Sequence, residues 1–267
     1  MSKSKVLLMV ALLAGASVIA DTVTFQNGVS GYTGTEDVQL NKDYSDNNMG
    51  GYDYFNASGS STTSLQFTSL IRFDISSLKG KTITSATLTL YMWYNSGSGA
   101  AQDVSLYAVK SADKDWVEGT QTGANGAVET GASCWNYMQY DATSPVAWAG
   151  GTNGCSVSGT DRDVAYLDST EVSGSAKAYF EWTITDTALL QSWAEDDADN
   201  AGMILITTGK IAGGYGNTAW CSSEFSTVSY RPMLTVTYVP EPATMSLLCA
   251  GLSWIALSRG CIFRNFL

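Results

Sequence analysis

Histidine is absent from all 267 residues. That excludes Ser-His-Asp and Cys-His catalysis, which need an imidazole base, and zinc chemistry built on histidine ligands. Charge is scarce, at 15% of residues against the usual ~25%, which rules out a coiled coil or a protein of long solvated helices. Cations are the scarcer sign, with 14 Lys and Arg against 25 Asp and Glu and a net charge of −11. Nucleic-acid backbones are held by clustered Lys and Arg, so a nucleic-acid partner is excluded. No two cysteines stand in C-x-x-C spacing, so a metal knuckle or redox motif has no support. There is no internal repeat. What is plentiful is apolar and turn-forming material, with 45% hydrophobic residues, 26 Gly, 14 Tyr and 8 Trp. That is enough for one core of generous size.

The two ends read as targeting segments. Lys3 and Lys5 precede an apolar run from Val6 to Ile19, and Ala20, with Val18 two residues before it, forms a small-residue cleavage site. Residues 1–20 therefore read as a signal peptide, the alternative being an N-terminal anchor. At the other end Val239-Pro240-Glu241-Pro242 leads into an apolar run over 243–258, closed by Arg259 and Arg264. A helix of that run is about 24 Å long at ~1.5 Å per residue, short of a ~30 Å bilayer core, and the arginines hold its end on the cytoplasmic side. Residues 239–267 resemble the PEP-CTERM sorting tail of Gram-negative bacteria. That resemblance implies a tail removed by an exosortase-type enzyme, transient contact with the inner membrane, and a host that makes exopolysaccharide; a plain tail anchor is the alternative. Loss of both ends leaves a still more acidic chain, because four of the five charges removed are cations.

Between the ends, period-two alternation recurs. Leu65, Phe67, Ser69, Ile71 and Phe73 alternate with Gln66, Thr68, Leu70 and Arg72. In 82–94, Ala86, Leu88, Leu90 and Met92 point one way, and Thr87, Thr89, Tyr91 and Trp93 the other. Val104 to Ala108, Phe180 to Ile184 and Leu234 to Tyr238 repeat the pattern, and 202–207 is a continuous apolar run suited to a central strand. Thr, Tyr and Val dominate, as suits a half-buried pleat, and the connections are rich in Gly, Ser, Asn and Asp. One short helix is expected, capped by Asp186, with Leu189, Leu190 and Trp193 on one face. The expectation is all-β: a single jelly-roll β-sandwich over 21–238 with one short helix and long loops.

Several segments in order resemble the DNRLRE domain family, which overlaps carbohydrate-binding module family 96. Glu36-Asp37-Val38 with Asn47-Asn48-Met49-Gly50 resembles the family's opening strand and turn. The stretch 70–78 resembles its "R-x-L-L-(K/R)-F-D-L-S-S-L" segment, and 83–91 its next strand. Trp116-Val117-Glu118-Gly119-Thr120 resembles the "W-x-E-G-T" loop. Cys134-Trp135-Asn136-Tyr137, with Trp148 and Gly150-Gly151, resembles a long-loop subgroup. Leu189 to Trp193, Ser222-Ser223-Glu224 and 231–238 resemble the closing elements. One departure is Thr122-Gly123-Ala124, where many members carry Thr-Trp-Asn. The resemblance implies a secreted or surface-bound, non-catalytic sugar-binding module with polysaccharide as partner. The alternative is a structural or adhesive component of the envelope or matrix with no defined sugar ligand. An enzyme is not expected: a lyase can use Tyr and Arg in place of His, but no such constellation or carboxylate pair stands out.

Sugars are held by aromatic faces and a few polar groups. The candidates are Tyr52 and Tyr54, sharing a face in a glycine-rich stretch; Tyr91 and Trp93, facing away from Leu90 and Met92; and Trp135, Trp148 and Trp220, in or beside loops. Core packing or loop bracing competes with that role for each. Trp182 and Trp193 are core by pattern. Arg72 is either a saccharide-carboxylate clamp or the partner of Asp74 in an ion pair. A jelly-roll module is expected to take at most one structural Ca²⁺; Glu36, Asp37 and Asp43, beside the first strand, are its candidate ligands, with a solvated acidic face as the competing reading for them and for Asp196, Asp197 and Asp199. Export permits a disulfide. Cys134 with Cys155 is the favoured pair, pairing of either with Cys221 staying open.

Overall fold

A computed structural model describes residues 20–60, 66–95, 101–174, 176–207 and 215–240. The signal and sorting segments lie outside these residues, apart from Ala20, Val239 and Pro240. Among the described residues no helix is long and apolar enough to cross a membrane. The chain runs through β1 (Asp21–Phe25), β2 (Thr35–Asn41), β3 (Asn47–Asn48), β4 (Tyr54–Ser60), β5 (Phe67–Phe73), β6 (Thr82–Asn95) and β7 (Gln102–Ala108). A long loop follows, carrying the short β8 (Ala127–Val128), β9 (Tyr137–Gln139) and β10 (Val146–Ala147). Then come β11 (Asp168–Val172), β12 (Ala178–Ile184), α1 (Thr187–Glu195), β13 (Met203–Thr207), β14 (Tyr215–Cys221) and β15 (Met233–Val239).

Eleven of these strands join in one curled antiparallel sheet that doubles back on itself, a sandwich-like arrangement. The 14-residue β6 organises one layer. Its first half pairs with β15 and its last residues with β14 on one flank, while β12 pairs along the other. β1 extends that layer beyond β15, and β4 beyond β14. The second layer runs β2-β5-β13-β7-β11. A single pairing, Ser58 opposite Phe67, links β4 to β5 at the corner between layers.

The alternating residues now have a destination. Ala86, Leu88, Leu90 and Met92 of β6, Trp182 and Ile184 of β12, Trp220 of β14 and Phe55 of β4 meet Ile71, Phe73, Val104, Leu106, Met203 and Leu205 from the other layer in one buried core. α1 closes one end of it. Asp186 accepts the Leu189 N–H at 3.0 Å, as an N-cap should, and Leu190, Trp193 and Ala194 are buried.

The second layer is buried on both faces, which explains the unbroken apolar run of β13. Met203 and Leu205 enter the inter-layer core, while Ile204 and Ile206 join Val38, Leu40 and Leu70 in a second core under the long loop. Trp116, Trp135, Met138 and Trp148 come down from that loop to fill it. Trp116 Nε1–H donates to Ala201 O at 2.9 Å and Trp148 Nε1–H to Cys134 O at 3.0 Å, so neither indole leaves a buried donor unpaired.

Three of the sugar-stacking candidates are thereby corrected. Trp135, Trp148 and Trp220 are 6%, 2% and 0% exposed and offer no ring face to solvent. The first two brace the long loop, and Trp220 packs edge-on to Trp182 with centroids 5.4 Å apart. The Cys134–Cys155 disulfide is corrected as well: Cys134, Cys155 and Cys221 are free, buried thiols. Burial pushes Cys134 up to about 11 and Cys221 up to about 12, and holds Cys155 well above its ordinary value, so none is a thiolate at neutral pH.

Candidate functional site

The long loop covers the outer face of the second layer. The outer face of the β4-β14-β6-β12 layer carries rings instead. Tyr54 leaves β4 outward because Phe55 and Ala57 point into the core. Tyr91 and Trp93 leave β6 outward because Leu90 and Met92 point in. Tyr52 meets Tyr54 edge-on at 5.6 Å, and Tyr54 lies 5.6 Å from Trp93. Buried Phe225, just after β14, wedges against both, 5.4 Å from Tyr54 and 5.2 Å from Trp93. Tyr52, Tyr54, Tyr91 and Trp93, singled out from the sequence, thus lie on one face and remain part-exposed.

A local irregularity shapes the cleft. Ala219 of β14 opposes Tyr94 and the next residue, Trp220, opposes Met92, so Trp93 is the extra residue of a β-bulge. A bulge re-aims side chains, and here both Trp93 and Tyr94 line the same cleft. Its volume is about 450 Å³, and its other lining residues are Tyr52, Tyr54, Asn56, Ala124, Lys177 and Ala219. Ala219 and Ala124 leave the room between the rings.

Lys177 is the one charged residue lining it. Its Nζ sits over the Trp93 ring, 2.8 Å from the centroid, in a cation–π contact. A ligand taking that ring face displaces the ammonium. Burial raises the Tyr52 and Tyr54 phenols above their usual range. Both therefore keep the proton and can donate as well as accept hydrogen bonds at neutral pH. Apolar ring faces with hydroxyl rims suit a ligand that alternates C–H faces and hydroxyls.

Arg72 lies elsewhere. It pairs with Glu36, directly across from it on β2, and not with Asp74. Its Nη1 donates to Lys114 O at 3.0 Å and its guanidinium covers Trp116 at 4.3 Å. The cavity there, about 500 Å³, is lined also by Asp115, Asp197 and Asn200. Arg72 is neutralised by Glu36, Lys114 is paired, Asp115 and Asp197 add two more carboxylates, and Trp116 is buried, so the cavity has neither a free cation for a saccharide carboxylate nor an open ring. Asp199 pairs with Lys114 at 3.2 Å.

Of the expected calcium ligands, Glu36 is held by Arg72, and Asp43 is exposed in a turn where its own N–H donates to Asn41 Oδ1 at 2.9 Å. Only Asp37 belongs to a carboxylate cluster. Its partners are Glu118 and Glu224, with one oxygen of each residue within 4.8 Å of the others. Asp37 N–H donates to Glu118 Oε1 at 2.6 Å, Ser223 N–H to Asp37 Oδ2 at 2.8 Å, and Ser223 Oγ–H to Glu224 Oε1 at 2.7 Å. The opening turn and the W-x-E-G-T loop hold Glu118 in place together. Asn48 Nδ2–H donates to Glu118 O at 2.5 Å, and a Cβ on Gly50 would stand 1.9 Å from that oxygen. Glycine is required at position 50 for the two segments to meet.

Burial, then the charges of Asp37 and Glu224, push Glu118 up to about 10; burial raises Asp37 and Glu224 too. Neutralising the trio takes protons or a cation, and these three are the residues that could hold one. The protons have a consequence for stability. The native state keeps protons that the unfolded chain releases above its ordinary carboxyl range near 4.5, so stability is full below that pH and is lost as pH rises toward 10. In EDTA, melting temperature should fall between about pH 5 and 9, and Glu118→Gln should flatten that fall. An unchanged pH slope in the variant would show that the trio does not hold the protons.

Glu118 and Glu224 went unrecognised as partners of Asp37 because no local spacing links three residues so far apart in the chain. The segments that carry them were visible; their convergence was not. Phe225 and Lys177 were missed for the same reason, and the bulge at Trp93 has no sequence signature.

The model of carbohydrate-binding module family 96 matches residues 29–171, from just before β2 to the penultimate residue of β11. The match takes in Tyr52, Tyr54, Tyr91, Trp93, Ala124 and two of the three clustered carboxylates, and stops short of Lys177, Phe225 and Glu224. No curated protein matches the chain.

Proposed function

The chain belongs to carbohydrate-binding module family 96, and from that premise we propose that it binds polysaccharide, without cleaving it, through the ring-lined cleft of the β4-β14-β6-β12 face. The observation that carries this reading is the grouping of Tyr52, Tyr54 and Trp93 around about 450 Å³ of open space on an otherwise acidic protein. Stacking there removes apolar ring area from water at little cost in side-chain entropy, while the phenol and Asn56 groups at the rim select hydroxyl geometry. The non-catalytic part is supported by the family and by the lack of an imidazole base.

The finer parts of the proposal come from sequence patterns. The sandwich is of the jelly-roll kind. The protein is exported through residues 1–20, touches the membrane transiently through 243–258, and loses its tail to an exosortase-type enzyme. It then resides at the cell surface or outside the cell with an exopolysaccharide matrix.

Electrophoresis through gels containing hydroxyethylcellulose, galactomannan, xylan or polygalacturonate tests the central part. Retardation by at least one polymer is expected. Unretarded migration in all, with an albumin control, would favour a structural or adhesive component without a sugar ligand.

A further inference from the structure

The rings do not stop at the cleft. Phe225, which supports Tyr54 and Trp93, also lies 6.0 Å from Tyr230. Tyr230 stacks on Tyr91 with centroids 3.9 Å apart and planes 6° from parallel. Tyr179 of β12 then meets Tyr91 edge-on at 4.8 Å and stands 51% exposed. Its hydroxyl donates to Ser229 O at 3.0 Å, which ties the turn carrying Tyr230 to the sheet. Buried Cys221 fills the sheet surface between the two ring groups, opposite Tyr54 on β4 and one residue past the Trp220–Met92 pair.

The pairings place these rings in one row. Tyr54 opposes Cys221, and Tyr91 opposes Tyr179. The row therefore crosses four neighbouring strands, β4, β14, β6 and β12, about 14 Å at ~4.8 Å per strand. That exceeds one sugar ring, and the row runs across the strands. Its part-exposed rings are tyrosines and Trp93. Hydroxyl-rimmed rings in series fit a ligand that repeats the same amphipathic unit, as a glycan chain does.

Resting on the proposed sugar-binding role, we infer that Tyr91, Tyr179 and Tyr230 form a second stacking subsite continuous with the cleft, so that the ligand is the interior of a glycan chain lying across the strands and not a chain end or a single sugar. Neither Tyr179 nor Tyr230 has the pattern of a site residue in the sequence; both become one through the β6–β12 register and the position of the turn after β14.

The test is calorimetric titration with size-fractionated oligomers, dimer to octamer, of whichever gel polymer retards the protein. Affinity should climb with length past the dimer. Tyr179→Ala should weaken hexamer binding about tenfold, a ring's worth of lost burial, and leave dimer binding unchanged. Tyr179→Phe keeps the ring, and should keep hexamer affinity while its melting curve reports any loss from the Ser229 bond. Equal affinity for dimer and hexamer, or a Tyr179→Ala loss shared equally by both, would overturn the track while leaving the cleft as a site. Failure of the parent polymers to bind at all would remove the sugar-binding role itself.

Discussion

Trp93→Ala should cost at least about 2 kcal/mol of glycan affinity, roughly thirtyfold, with the melting temperature nearly unchanged. Trp93 sits at the bulge of β6, touches Tyr54 and Phe225, and keeps part of its ring in solvent. A half-exposed ring contributes modestly to folding, whereas a sugar stacked on it would bury the rest. Tyr54→Ala should act in the same direction with a smaller loss. The control is Tyr166→Ala. Tyr166 is 58% exposed and packs edge-on to Tyr107, whose backbone lies in β7 of the other layer. Gel retardation and titration calorimetry read both effects. A Trp93→Ala protein that binds as wild type would remove the cleft from consideration, and equal losses in Trp93→Ala and Tyr166→Ala would point to a non-specific surface effect.

Trp182→Ala should be the most damaging single change to the fold, costing about 3–5 kcal/mol. That is a large share of the ~5–15 kcal/mol that holds a domain folded. Trp182 is 0% exposed and packs against Trp220. It also donates from Nε1 to Val104 O at 2.8 Å, so it ties β12 of one layer to β7 of the other. Removing it opens a cavity between layers that rigid strands on both sides cannot collapse to fill, and it deletes a buried hydrogen bond. Trp182→Phe should lose less, since much of the volume remains. Denaturant midpoints give the comparison. A Trp182→Ala midpoint within experimental error of wild type would mean that the layers are not coupled there.

The contrast between these two tryptophans shows what was legible in the sequence. Period-two alternation gives the inward and outward sides of a strand, so Tyr91 and Trp93 were correctly read as outward, Trp182 as core and β13 as central. Alternation carries no information on what covers an outward side. Trp148 lies in a loop, and a loop tryptophan can face solvent or fold back; here it folds back over Ile204 and Ile206 because the β2-β5-β13-β7 face is as apolar outside as inside. Trp220 was misassigned because the glycine-rich approach to β14 hides its register, which only pairing with Met92 fixes. Asp74 is the neighbour of Arg72 two residues along the chain, just past the end of β5, yet Glu36 stands directly across on β2. Cross-strand pairs depend on register, and register depends on tertiary pairing. The same reason hides the Asp37–Glu118–Glu224 cluster: each carboxylate sits in a visible segment, and only the folded chain brings them within reach.

Chemical-shift mapping on ¹⁵N-labelled protein, titrated with an oligomer of the retarding polymer, locates the ligand most directly. Perturbations should gather on the Trp93 indole N–H and on the backbone of Tyr52, Tyr54 and Tyr91, with the Trp116 and Trp148 indoles unmoved. Shifts centred on Arg72 and Trp116 instead would place the sugar in the opposite cavity and contradict the ring-lined face as the binding surface.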